Sequence, residues 1–260
     1  MPKPRILILR APGTNCDVET AFAFERAGGS PETVHIGALL ESPRLAHEFQ
    51  IFCIPGGFSY GDDIAAGRIV ANQLRHRLTD ALAELKSQGK LILGICNGFQ
   101  ILLKADVLLT PGRDGLPAAT LTINGSRKFE DRWVRLRTQR SPCVFFSGIQ
   151  EMYLPVAHAE GRFVTRDVAT LAALEAGGHV ALRYASPLAS DDEVPYPDNP
   201  NQSMAAIAGV CDTTGRVCGL MPHPERHIER TQHPHWTREP SPLEQGDGLR
   251  VFQNAVRYFA

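Results

Sequence analysis

The chain has 260 residues, 43% of them hydrophobic and 21% charged, and its formal net charge is −1. This composition excludes a disordered chain, and the length suits one α/β domain over residues 1–260. The charge provides no basic field for nucleic acid or a membrane surface. The apolar run near the amino terminus, about four residues, is too short for a signal peptide or a membrane span, so we expect a cytoplasmic protein.

The first hundred residues alternate short β-branched runs with helical stretches. Strands are predicted at RILILR, FQIFCIP and KLILGI. A helix is predicted from about residue 17 to residue 27, with Asn15 or Asp17 as its cap and Phe22 on its buried face. This order predicts an α/β protein with a parallel sheet and crossover helices.

The second half is predicted to be richer in strands. The runs LTINGS, RWVRLRT, CVFFSGI, YLPVAHAEGRFV and HVALRYA have β character, and AIAGVCDTTGRVCGLMPHP is predicted as two strands joined by a turn. Loops are expected over residues 186–203 and, as an extended Pro- and His-rich segment, over about 227–247. The segment GLRVFQNAVRYF is predicted as a carboxy-terminal helix.

Six cysteines are present, without a CxxC pair: Cys16, Cys53, Cys96, Cys143, Cys211 and Cys218. In a chain without a secretory signal we expect neither a disulfide framework nor a metal site from them. Five of the six are interpreted as small buried hydrophobic residues. The exception is Cys96.

Cys96 lies in LILGICNGFQ, at a predicted turn between a strand and a helix. Small neighbours, Gly94 and Gly98, permit the cramped backbone that raises a nucleophile above the sheet. Backbone N–H groups at the start of the helix favour a thiolate and a developing oxyanion. A buried structural thiol is the alternative interpretation, but the GxCxGxQ pattern indicates a nucleophile for acyl transfer.

The segment MPHPER supplies a candidate base. Pro224 is expected to keep the segment extended, so that His223 and Glu225 point the same way. Glu225 can then orient His223 toward Cys96, as a nucleophile requires. A surface histidine beside a solvated glutamate is the alternative. No third ligand accompanies the histidines of the Pro-rich loop, so no metal site is predicted.

Together, in this order, the two clusters resemble those of class I (triad-type) glutamine amidotransferases. The segments APGTNCDVE, PGGFSYGDDIAAGRI, LTINGSRKFEDRW and PVAHAEGRF narrow the resemblance to the glutaminase subunits of phosphoribosylformylglycinamidine synthase, over nearly the whole chain. It implies a flavodoxin-like sheet flanked by helices. It also implies hydrolysis of glutamine to glutamate and ammonia for the conversion of formylglycinamide ribonucleotide to formylglycinamidine ribonucleotide in purine biosynthesis.

The resemblance also implies residue roles. Cys96 attacks the glutamine amide, His223 transfers the proton and Glu225 holds His223. Backbone N–H groups of Gly57 and Asn97 form the oxyanion hole.

Three further residues are implied to contact glutamine: Gln100, Phe58 and, in the HAEGRF loop, His158. For Gln100, a solvated helix residue is the alternative. Asp62 and Asp63 are expected to be solvated and to bind no metal.

No cofactor is expected in this chain, because it has no G-x-x-x-x-G-K-[ST] loop. ATP and Mg²⁺ are expected on a large synthetase subunit, with a small third subunit as a possible addition. Two other functions stay open. One is a different flavodoxin-like cysteine hydrolase, and the other is a non-catalytic subunit that only binds its partner.

Overall fold

The computed structural model describes residues 2–112, 114–187, 194–238 and 245–260. In chain order its strands are β1 (Arg5–Arg10), β2 (Ser30–His35), β3 (Ile51–Ile54), β4 (Leu91–Ile95), β5 (Ala119–Thr122), β6 (Glu130–Thr138), β7 (Glu151–His158), β8 (Arg162–Thr165), β9 (Val180–Ala185), β10 (Ile207–Cys211) and β11 (Val217–Leu220). Its α-helices are α1 (Asp17–Arg26), α2 (Ile36–Glu41), α3 (Arg68–Arg77), α4 (Thr79–Ser87), α5 (Asn97–Lys104), α6 (Val168–Ala176) and α7 (Leu249–Arg257).

Nine strands form one sheet in the order β2-β1-β3-β4-β11-β10-β9-β6-β7, and β5 pairs separately with β8. Strands β1 to β4 and β11 run parallel, whereas β10, β9, β6 and β7 pair antiparallel. Strands β3 and β4 are buried along their whole length, as expected where helices cover both faces of a parallel sheet. The predicted α/β fold, with its strand-rich second half, is confirmed.

The parallel strands bring four connections to one edge of the sheet. The chain leaves β1, β3, β4 and β11 at their carboxyl ends, where open α/β sheets place their ligand sites. Cys16, Gly57, Cys96 and His223 all lie in the segments that follow these strands. Residues distant in sequence therefore meet at this edge.

Two aromatic rings join the first and last helices. Phe24 of α1 packs edge-on against Phe252 of α7, with 4.9 Å between ring centroids. Phe22, predicted on the buried face of α1, is instead 46% exposed, whereas Phe24 is fully buried. The prediction for Phe22 was wrong because tertiary packing, here the contact with α7, selects the buried face of a short helix.

Two segments differ from their predicted structure. Strand β2 was not predicted, because its sequence SPETVH buries only Val34 and it forms by pairing with β1 at the sheet edge. The run CVFFSGI, predicted as a strand, contains a 3-10 helix at Val144–Phe146. There the Asn254 side chain of α7 donates hydrogen bonds to the backbone oxygens of Phe145 and Ser147, which replaces strand pairing.

The extended loop predicted over about 227–247 is described except for residues 239–244, which lie outside the described part. A 3-10 helix occupies Arg230–Gln232. The ring of His233 packs edge-on against Trp133, with 4.5 Å between centroids, and only 6% of His233 is exposed. The loop is therefore anchored to the central sheet at His233, whereas residues 234–238 are exposed.

One continuous hydrophobic cluster includes buried residues from both halves of the described chain. Its members come from the parallel strands, the antiparallel strands and the helices, α7 included. The interpretation of residues 1–260 as one domain stays a prediction, which this shared core supports. None of the helices in the described residues has the length and apolar character needed to cross a membrane.

Candidate active site

Cys96 occupies a strained turn between β4 and α5. Its backbone has φ 51° and ψ −103°, in the left-handed half of conformational space that L residues avoid. A side chain at Gly98 would place its Cβ 1.9 Å from the backbone oxygen of Ile54, so only glycine fits there. The turn predicted from the sequence is thus present, and it holds Cys96 at the start of α5 with 5% of its surface exposed.

His223 and Glu225 follow β11 and form a buried pair. The Nδ1 atom of His223 lies 2.6 Å from Oε1 of Glu225, and the two residues are 2% and 1% exposed. The segment between them is not extended as predicted: Pro224–Arg226 is a 3-10 helix, with proline at its first position. The two side chains meet across this turn because the fixed φ of proline suits the first turn of a helix.

The charge on His223 depends on its neighbours. Burial acts to lower the pKa of His223, but the Glu225 carboxylate and the Cys96 thiolate more than offset it, so the pKa lies well above its ordinary value. His158 has the opposite behaviour. Burial, together with the charge of His223, lowers the pKa of His158 to about 3, so its imidazole is neutral at physiological pH.

A first cavity of about 210 Å³ opens beside Cys96. Five of the predicted site residues line it, namely Gly57, Phe58, Cys96, Gln100 and His158. The structure therefore gathers residues from three separate segments around one small space. Their roles in binding and catalysis stay predictions.

Asn97 and Gln100 are linked in a chain of buried hydrogen bonds. The Asn97 amide donates to Oε1 of Gln100 at 2.9 Å, and the Gln100 amide donates to the backbone oxygen of Glu160 at 2.6 Å. Gln100 is 3% exposed, so it is not the solvated helix residue of the alternative interpretation. Its side chain fixes the loop at Glu160 against α5.

Gly57 lies between β3 and the first cavity with φ +139°, a value that favours glycine. A Cβ atom there would lie 2.8 Å from the backbone nitrogen of Asn15. The close approach of these two backbones brings the segment after β1 against the segment after β3.

Asp62 differs from its expected solvated state. Its Oδ1 accepts hydrogen bonds from the backbone N–H of Gly67 at 3.2 Å and from the Asn97 amide at 3.3 Å. Burial raises the pKa of Asp62, and the nearby charge of Glu160 raises it further. Asp63 is exposed, as expected.

A second cavity of about 250 Å³ reaches Cys96 from another side. Its lining includes Cys16, Phe129, His223 and Arg226, and it shares Gly57, Phe58 and Cys96 with the first cavity. Sequence reasoning missed Cys16, which it interpreted as a small buried hydrophobic residue, and Arg226, the last residue of MPHPER, to which it gave no role. The available signal was the position of Cys16 directly after a predicted parallel strand, where ligand sites collect.

Cys16 lies among charged groups. Its Sγ is 3.2 Å from Nη2 of Arg226. The Nε atom of the same guanidinium donates a hydrogen bond to Oε1 of Glu19 in α1 at 2.8 Å. Burial raises the pKa of the Cys16 thiol, and the nearby His223 opposes that rise. Within the described residues, Cys16, His223 and Glu225 are the group placed for a metal ion, with ligand atoms within 4.8 Å of one another.

Comparison with known proteins identifies the family. Residues 3–259 match a family model described as a CobB/CobQ-like glutamine amidotransferase domain. The chain belongs to this glutamine amidotransferase family.

Relatives of this amidotransferase include proteins named phosphoribosylformylglycinamidine synthase subunit PurQ. The one from Dehalococcoides mccartyi is 46% identical over 99% of this chain and 98% of its own length. Another, from Methanococcus maripaludis, is 39% identical over 98% of each chain. A solved structure titled PurLQS from Thermotoga maritima matches over the full length of both chains, with 32% identity and a TM-score of 0.74.

Proposed function

We propose that this amidotransferase is the glutaminase subunit of phosphoribosylformylglycinamidine synthase. It hydrolyses glutamine to glutamate and ammonia, and the ammonia converts formylglycinamide ribonucleotide to formylglycinamidine ribonucleotide in purine biosynthesis. The observation that carries the chemistry is Cys96 in its strained turn, with His223, paired with Glu225, lining the second cavity beside it. The names of the full-length PurQ relatives support the substrate and the pathway.

In the proposed reaction glutamine occupies the first cavity, whose volume suits a small amino acid. The Cys96 thiolate attacks the side-chain carbonyl carbon. His223, held by Glu225 through Nδ1, donates a proton to the departing nitrogen, so that ammonia leaves and a glutamyl thioester remains. His223 then accepts a proton from water, and the attacking hydroxide releases glutamate and restores the thiolate.

The oxyanion formed in both steps needs donors that are already in place. We assign this role to the backbone N–H of Asn97, at the first position of α5, and to that of Gly57. One such donor contributes about 10²–10³-fold in rate. Phe58 and His158 complete the wall of the first cavity, and the neutral state of His158 avoids repulsion with a protonated His223.

Ammonia must reach an acceptor on another chain in this proposal. A synthetase subunit would bind ATP, Mg²⁺ and the ribonucleotide, with a small third subunit as a further component. The composite name PurLQS of the related Thermotoga maritima structure supports an assembly of this kind. The sequence of this chain contains no phosphate-binding loop for ATP.

Replacement of the nucleophile tests the proposed function. In the complex reconstituted with the synthetase, Cys96→Ala is expected to abolish amination driven by glutamine, because no thioester can form. Amination driven by added ammonia is expected to persist, since it bypasses this site. The matched control is Cys53→Ala, a buried thiol of β3 that lines neither cavity. Glutamine-dependent activity that survives in Cys96→Ala would contradict the proposal.

A further inference from the structure

The first cavity is acidic. Among the described residues that line it, Asp62 and Glu160 have carboxylate side chains, whereas neither lysine nor arginine occurs. Burial raises the pKa of Asp62, and the charge of Glu160 raises it further, so the two carboxylates lie close enough to repel each other. His158 also lines the cavity, and its imidazole is neutral. A ligand that brings a positive charge would therefore complete this space.

Lys104 supplies a nearby positive charge, but it does so from outside the cavity. Its Nζ atom donates a hydrogen bond to the backbone oxygen of Ala66, and it forms no ion pair with Asp62 or Glu160 in the described part of the chain. Burial lowers the pKa of Lys104, although the charges of Glu160 and Asp62 oppose this change. Lys104 does not belong to the described lining, so the positive charge that faces the two carboxylates must come from a ligand.

One oxygen of Asp62 is free to bind that ligand. Oδ1 accepts hydrogen bonds from the backbone N–H of Gly67 and from the Asn97 amide, and these bonds orient the carboxylate. Oδ2 has no hydrogen-bond partner among the described residues and remains accessible. Because Asn97 directly follows Cys96, its bond to Asp62 ties the carboxylate to the turn that carries the nucleophile.

His158 adds an unpaired acceptor to the same cavity. The Asn124 amide donates to the backbone oxygens of Lys128 and His158, so its Oδ1 is the atom that accepts. Nδ1 of His158 lies 3.2 Å from that oxygen and therefore carries the ring proton. Nε2 is left as an acceptor, buried and without a partner among the described residues. A buried acceptor of this kind requires a donor, which a ligand can supply.

We propose that Asp62 and Glu160 bind the α-ammonium group of glutamine and make the site selective for an α-amino acid. An ammonium group has three N–H donors, which suit the two carboxylates, and the N–H groups of glutamine also offer a donor to Nε2 of His158. The α-carboxylate is left to backbone N–H groups, since no cationic side chain is part of the described lining. In a volume of about 210 Å³ one glutamine molecule can present its amide to Cys96 and its ammonium group to Asp62. This inference rests on the proposed glutaminase function.

Removal of the Asp62 charge tests this role. Asp62→Asn keeps an oxygen for Gly67 and Asn97 but loses the charge. In the complex reconstituted with the synthetase, its kcat/KM for glutamine is expected to fall about 10–100-fold, chiefly through KM, because a charge-assisted hydrogen bond to the substrate is lost. Glutaramate has the same terminal amide but no α-amino group, so its kcat/KM is expected not to fall. The parent should therefore prefer glutamine, and the variant should lose most of that preference.

Asp63→Asn is the matched control, because Asp63 is exposed and lines neither cavity. It should keep the parent values for both amides. A loss shared equally by glutamine and glutaramate, or an unchanged preference for glutamine, would overturn the proposal. If Asp62→Asn does not fold, Asp62→Ser gives the same comparison. A parent complex that releases no glutamate from glutamine would instead refute the proposed function.

Discussion

At the scale of residues, the candidate site depends on one short hydrogen bond. The 2.6 Å contact between His223 and Glu225 fixes which imidazole nitrogen faces the cavities, and the Glu225 charge raises the pKa of His223. A protonated His223 persists to higher pH for this reason. It can then donate a proton to the departing amide nitrogen over a wider range of pH.

Removal of this charge gives the first prediction. Glu225→Gln is expected to lower the pKa of His223 and to shift the alkaline limb of the kcat/KM profile for glutamine to lower pH. The rate is expected to fall by about 10²–10⁴-fold, as when the orienting residue of a triad is neutralised. Profiles of glutamate release against pH measure both effects, with the exposed Glu41→Gln as control. A profile with an unmoved alkaline limb would argue against this role for Glu225.

The lowered pKa of His158 gives a second prediction, which concerns the stability of the fold at different pH. The folded pKa of about 3 lies below the unfolded value of about 6.5, so the unfolded chain takes up the proton first as pH falls. The contribution of neutral His158 to the free energy of unfolding is complete above pH 6.5 and is lost between pH 6.5 and 3. Between pH 7.5 and 5 it declines by about 2 kcal/mol.

Urea unfolding at pH 7.5 and pH 5 checks this value. His158→Gln removes the titrating group, so the variant is expected to lose about 2 kcal/mol less than the parent over this interval. The exposed His76→Gln on α3 should behave as the parent does. Equal losses in the parent and in His158→Gln would show that His158 is not a neutral buried base.

The motifs made part of the site predictable from sequence. Cys96 stands between glycines, and His223 and Glu225 are two residues apart, so their pattern is local. Cys16 and Arg226 make contact across 210 residues. Only the pairing of parallel strands brings them together, and no local pattern encodes that pairing.

At the scale of elements, the turn between β4 and α5 depends on a close backbone contact. The position of Gly98 against the Ile54 oxygen allows α5 to begin directly after Cys96. Strands β3 and β4 were predictable because their residues are apolar without interruption. Strand β2 was not, since its pairing with β1 and not its own composition makes it a strand.

A methyl group at this turn gives the third prediction. Gly98→Ala is expected to lower the free energy of unfolding by about 2–4 kcal/mol, because the added Cβ would overlap the Ile54 oxygen. Displacement of Cys96 should also reduce glutaminase activity. Urea denaturation measures the first effect. Gly37→Ala, where the nearest atom belongs to the His35 ring at 3.1 Å, is the control and should cost less than about 1 kcal/mol.

At the scale of the whole molecule, the proposed reaction is divided between chains. An isolated glutaminase would waste glutamine, and such sites are often completed by a conformational change in a partner complex. The contact of Arg226 with both Glu19 and Cys16 joins α1 to the segment that carries His223. A partner that moves α1 would thereby act on this segment.

The fourth prediction follows from this division. Addition of the synthetase is expected to raise the rate of glutamate release by the isolated chain at least about tenfold. Assays with saturating and limiting glutamine separate an effect on kcat from one on KM. The Cys96→Ala chain serves as the blank. A turnover that is unaffected by the synthetase would contradict the expected activation.

The sharing of Cys96 between two cavities has a pharmacological consequence. One sulfur atom is reached from two cavities, and Gly57, Phe58 and Ala157 also line both. A compound shaped for the chamber beside Phe129 and Arg226 need not imitate an amino acid to reach that sulfur. Inhibitors that do not resemble glutamine can thus be directed to the cavity lined by Phe129 and Arg226.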